Sequence, residues 1–124
     1  MHKNLYLIPL ILMLGACFQA EKNCRNFRLG NYQFTTILGK DTLISRFERF
    51  ENYEVEYFNQ KIDTSTVRWV NDCEYILKNK NPKNMSEQKS VSIRILSTTD
   101  STYTFEYGVV GESKKSKGTA KRIK

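Results

Sequence analysis

The feature that most limits what this chain can fold into is a two-residue alternation that runs, with short interruptions, from Asn31 to Ile123. Tyr32, Phe34 and Thr36 share one face of an extended segment, and Tyr53, Val55 and Tyr57 alternate with Asn52, Glu54 and Glu56. Val67 and Trp69 alternate with Thr66, Arg68 and Val70, and Val91, Ile93 and Ile95 with Ser92, Arg94 and Leu96. Tyr103, Phe105 and Tyr107 alternate with Thr104, Glu106 and Gly108. Successive side chains of a strand point to opposite faces, so this period sets one face of each run in a core and the other in water. On that reading Tyr53, Val55 and Tyr57 point inward, and Glu54 and Glu56 form a wet face.

Turn-forming clusters separate the runs at intervals of about ten residues: Leu38-Gly39-Lys40-Asp41, Glu51-Asn52, Asn59-Gln60-Lys61, Asn71-Asp72, Thr98 to Ser101 and Gly108 to Gly111. The expected fold is all-β, a single antiparallel meander with strands near 31–37, 42–49, 52–58, 65–70, 73–79, 89–97, 102–109 and 117–123. Such a meander leaves two unpaired edges unless it closes, so a small barrel or a strongly curved sheet is expected. Residues 79–88, NKNPKNMSEQ, make the longest polar loop, with room for a short helical turn. Tyr57, Trp69, Tyr75, Tyr103 and Phe105 are the candidates for an interior aromatic lining. They either surround an apolar pocket or fill a solid small barrel.

Ahead of the strands, His2 and Lys3 precede an apolar run from Leu5 to Leu14 that ends in small residues, the layout of a secretory signal. Interrupted by Pro9, the run is about half of the roughly 20 apolar residues that cross a bilayer. Leu14-Gly15-Ala16-Cys17 resembles the lipobox of bacterial lipoproteins, where a large aliphatic residue and two small ones precede a cysteine. The resemblance implies removal of residues 1–16 and a diacylglycerol thioether on Cys17. Residues 17–26 then form a lipidated tether and residues 27–124 the barrel-like domain. Phe18 stands where an Asp would signal inner-membrane retention in enteric-type bacteria, so an outer-membrane, periplasm-facing position is expected.

Export also decides the chemistry of the cysteines. With Cys17 lipidated, Cys24 and Cys73 remain, and an even pair in an oxidising compartment reads as one disulfide. Closing a loop of about 50 residues is worth roughly 4 kcal/mol in the chain-entropy model; two buried free thiols are the alternative. The single histidine, His2, lies in the signal, which removes the imidazole that Ser-His-Asp, Cys-His and HExxH sites require. The chain has no GxxxxGK[ST], GxGxxG or CxxC motif, so no catalytic residue, metal ligand or cofactor is assigned. Glu48, Glu51, Glu54, Glu56, Asp72 and Glu74 leave a carboxylate-dependent envelope hydrolase as an alternative.

The chain carries 20 Lys+Arg against 13 Asp+Glu, and the excess is concentrated at its end. Residues 112–124 hold Lys114, Lys115, Lys117, Lys121, Arg122 and Lys124 against Glu112 alone. Such a run is either a patch for anionic lipid heads or polyanions, or a set of basic guards on an exposed edge strand. An exported chain without a recognised motif is not expected to bind nucleic acid.

The opening Cys24-Arg25-Asn26-Phe27-Arg28-Leu29-Gly30-Asn31-Tyr32 and the segment from Val67 to Leu77, containing Trp69, Asp72, Cys73 and Tyr75, resemble a group of small uncharacterised lipoproteins of Gram-negative bacteria. Gly30-Asn31-Tyr32 is also similar to the first strand of calycins, the lipocalin-like ligand barrels. The lipobox, the absence of histidine beyond the signal and the alternating strands together lead to the expectation of a lipid-anchored, non-catalytic binding or interaction module of the cell envelope. It would be held to the membrane through Cys17, with an envelope protein or a small hydrophobic ligand as partner. A lipocalin-like carrier is the alternative within the same architecture.

Overall fold

The computed structural model describes residues 22–38 and 40–123, with side chains throughout except at 36–38. Residues 1–16, Cys17 and Lys124 lie outside the described residues. Eight strands follow in chain order: β1 Gly30–Leu38, β2 Asp41–Arg49, β3 Tyr53–Phe58, β4 Lys61–Asn71, β5 Glu74–Asn79, β6 Val91–Thr98, β7 Thr102–Val109 and β8 Ser116–Ile123. Each pairs antiparallel with the next, and β8 pairs with both β7 and β1, closing the meander into a barrel. The all-β barrel expected from the alternation is thus the fold observed. Closure satisfies both flanks of β8, so its lysines do not guard an edge.

β4 starts four residues earlier than the alternation suggests. Asn59 and Gln60 take positive φ values of 51° and 65°, the mirror-image turn whose twist matches the flanking strands. Pairing therefore resumes at once, with Lys61 opposite Phe58. The loop after β5 holds single turns, Gln88 N–H to Met85 O and Lys89 N–H to Ser86 O, rather than a helix.

One strand faces the opposite way from its sequence pattern. The register sets Glu54 opposite Arg49 and Glu56 opposite Phe47, and directly opposed residues share a face. Phe47 and Arg49 are buried, so Glu54 and Glu56 turn inward and Tyr53, Val55 and Tyr57 turn outward. Tyr57 is 38% exposed, with the Arg46 guanidinium 5.7 Å from its ring. Tyr53 stacks on Phe50 at 4.6 Å.

The segment expected to be a plain tether is folded from Cys24 onward. Cys24–Phe27 form a 3-10 turn with Cys24 and Phe27 buried, and the Cys24–Cys73 disulfide ties the turn to the β4–β5 connection. Arg122 turns inward from β8, lies 4.6 Å above the Phe27 ring and donates to Asn26 O. Arg25 and Arg28 both reach Asp72. This turn lies across one end of the barrel. Beneath it Tyr32 stacks on Phe47 at 5.3 Å and meets Tyr103 edge-on at 5.5 Å.

Candidate functional site

A buried arginine organises the sealed end. Arg49 is 1% exposed, placed inward by the alternation Ser45, Phe47, Arg49 along β2. Its Nε donates to Glu54 Oε2 at 3.0 Å and its Nη1 to Phe27 O at 2.6 Å. Its Nη2 donates to the phenolic oxygens of Tyr75 and Tyr103, at 2.6 and 2.7 Å. The rings of Tyr75, Tyr32 and Phe47 stand 4.3, 5.2 and 5.3 Å from the guanidinium carbon. One charge thereby joins strands β2, β3, β5 and β7 to the Cys24–Phe27 turn. A planar fork of donors suits four acceptors in different directions, which an ammonium could not serve in the same way.

The electrostatics follow from burial. Burial works against the Arg49 charge, but Tyr75, Tyr103 and Glu54 outweigh it and hold its pKa well above the ordinary value. Burial pushes the Tyr75 and Tyr103 phenols up, so both stay neutral. Glu54, 6% exposed, is also pushed up by burial, against the pull of Arg49.

The network leaves two groups unused. The Tyr75 and Tyr103 hydroxyls are 3.3 Å apart, a contact that occupies one phenolic proton and not the other. Glu54 gives Oε2 to Arg49, while Oε1 receives no hydrogen bond from the described residues.

Above this floor the barrel is not filled. A cavity of about 260 Å³ runs toward the end formed by the β1–β2, β3–β4 and β7–β8 turns. Its wall is mostly aromatic and aliphatic, including Phe34, Leu43, Leu77, Ile93 and Phe105, interrupted by Ser45, Glu54 and Glu56. Phe34 is held against β8 by Gly118, where any side chain would collide with its ring. At the mouth Glu56 lies opposite Asp63 of β4. Burial first, then the charges of Glu54 and Asp63, raise the Glu56 carboxyl above its ordinary value.

Of the five aromatic candidates, Tyr75, Tyr103 and Phe105 line this cavity. Tyr57 is on the outer surface for the register reason given above. Trp69 sits at the sealed end, 4.6 Å from Tyr75 and beneath Arg28 at 4.9 Å, next to the irregularity between Trp69 and Asn71. The described terminal basic residues are distributed along β8 and the turn before it. Lys114 and Lys115 precede β8 at the open end, Lys117 and Lys121 lie along its exposed positions, and Arg122 is part of the seal.

Among the acids, Asp72 is ion-paired and Glu74 accepts from Ser92 Oγ at 3.0 Å, leaving Glu54 and Glu56 as the carboxylates of the cavity wall. Arg49 and Glu54 are not legible as site residues from alternation alone. Their symmetric placement about the Phe50–Tyr53 turn is the available signal, since opposite charges directly across a hairpin attract. No protein-family model matches the chain, and no curated protein or solved structure matches it.

Proposed function

We propose that the protein is a lipid-anchored binding module of the bacterial cell envelope that takes a small, largely apolar molecule into the open half of its barrel. The observation that carries this reading is the cavity of about 260 Å³ standing above a closed polar floor. An eight-stranded barrel has an interior just wide enough to be filled by side chains or to hold one small ligand. Here one half is filled and the other is not. A cavity of about 150 Å³ with an apolar lining holds benzene, so this one admits a molecule of roughly ten non-hydrogen atoms.

The anchor in this reading is the thioether on Cys17, supported by Leu14-Gly15-Ala16-Cys17. Two or three acyl chains, at about 0.8 kcal/mol per buried CH₂, hold a protein on a bilayer. From Cys17 to Cys24 the chain reaches at most about 25 Å, and Cys24 lies at the sealed end. The sealed end is then nearer the bilayer and the mouth opens away from it. Lys114 and Lys115 precede β8 at that end, with Lys115 along the outer wall beside Gly108 and Glu106.

Calorimetric titration with 2-phenylethanol, a neutral molecule of suitable size, tests the cavity. Saturable one-to-one binding is expected, and Ser45→Phe, which fills the space above the floor, should abolish it. A folded protein that takes up no heat, or a Ser45→Phe variant that binds as well, would overturn the reading. Cys17→Ser tests the anchor separately. It should move the protein from the membrane to the soluble fraction, and unchanged membrane association contradicts lipidation.

A further inference from the structure

Resting on the cavity reading above, we infer that the molecule taken up is a small organic cation, an aromatic or aliphatic amine, whose ammonium group docks on the Glu54–Glu56 wall. The apolar part of such a molecule lies against Phe34, Phe105, Leu77 and Ile93. Glu54 and Glu56 are the charged side chains of the cavity wall, and no lysine or arginine belongs to it among the described residues. Arg49, the cation beneath the floor, is turned to the far side, where Glu54 Oε2, Phe27 O and two phenols occupy it.

Glu54 and Glu56 share the inward face of β3, and Asp63 stands opposite Glu56 on β4, with Lys61 as the neighbouring cation on the same face at the mouth. Glu54 is buried and still offers Oε1 to the interior, so a donor placed there meets an acceptor with no other partner among the described residues. The aromatic wall adds the negative faces of its rings, which favour a cation. A carboxylate ligand such as a fatty acid would bring a further negative charge against these groups, at a cost in low-dielectric surroundings.

The same site thus predicts an order among ligands of one shape. Calorimetry with 2-phenylethylamine, 2-phenylethanol and phenylacetate compares a cation, a neutral molecule and an anion on the purified mature protein, with a detergent blank subtracted. The amine is expected to bind at least tenfold more tightly than the alcohol, and phenylacetate not to bind. Glu56→Gln, at the rim of the cavity, should weaken the amine by more than it weakens the alcohol and so remove most of the preference for the amine. An alcohol as tight as the amine, or tighter binding of phenylacetate, overturns the cation inference and leaves the cavity reading intact. Equal loss of both ligands in Glu56→Gln also contradicts it. Failure of all three to bind the folded protein overturns both.

Discussion

At one end of the barrel the inward positions carry Tyr32, Arg49, Tyr75, Ile95 and Tyr103, and a disulfide-tied turn lies across them. At the other end the same strands carry Phe34, Leu43, Glu56, Leu77 and Tyr107 around open space. The sealed half uses most of its polar groups on one another: four of the five Arg49 N–H bonds have acceptors within the fold, while Arg28 Nε is buried without one among the described residues. The open half has an acceptor, Glu54 Oε1, and a rim carboxylate, Glu56, turned toward the cavity. The difference teaches where stability and binding reside. Satisfied buried networks fix a structure, whereas unspent polar groups in an apolar wall are available to a ligand.

The strongest way to break this division is to remove its centre. Arg49→Met leaves Glu54, two phenols and Phe27 O without their donor, and loss of one partner of a buried pair costs about 3–5 kcal/mol. Urea unfolding should show that loss. A drop below about 1 kcal/mol would place the stability elsewhere. Cys24→Ser frees the turn that covers the same end and should cost about 2–4 kcal/mol, the chain-entropy value lying at the top of that range.

Two aliphatic truncations sharpen the comparison directly. Ile95 is fully buried in the sealed half, so Ile95→Ala should cost about 3 kcal/mol. Leu77 borders space that already exists, so Leu77→Ala should cost less than half as much, read from the same unfolding curves. Equal costs would mean that the two halves are packed alike.

The smallest effect is a pH dependence. Glu56 holds its proton in the folded state to higher pH than its ordinary value of 4.5. Its contribution to stability is complete below that value and is lost as pH rises through the folded pKa. Thermal midpoints should therefore fall across this rise, and Glu56→Gln should flatten the fall. A variant with an unchanged profile would assign the dependence to other groups.

The strand plan is legible in the sequence because alternation is local. Tyr103, Phe105 and Tyr107 face inward as their period requires, and the turn at Asn59-Gln60 lies where its residue types suggest. The facing of β3 is not legible in its own residues because a partner on another strand sets it. Tyr53, Val55 and Tyr57 form the more apolar stripe, yet the requirement of Arg49 for a buried counterion places Glu54 inside. Whether the barrel is hollow depends on side-chain volume summed over eight strands, a quantity that no short window of sequence contains. The folding of Cys24–Phe27 into the seal depends likewise on distant partners, Cys73 and Arg122.

The division between a filled half and a binding half is tested most directly by nuclear Overhauser contacts from bound 2-phenylethylamine to the methyl groups of the protein. Contacts are expected to Leu43, Leu77 and Ile93, which line the cavity, and not to Ile95, buried in the sealed half. Contacts confined to the outward-facing Ile44 and Ile62, or to no methyl group at all, would contradict a ligand site inside the barrel.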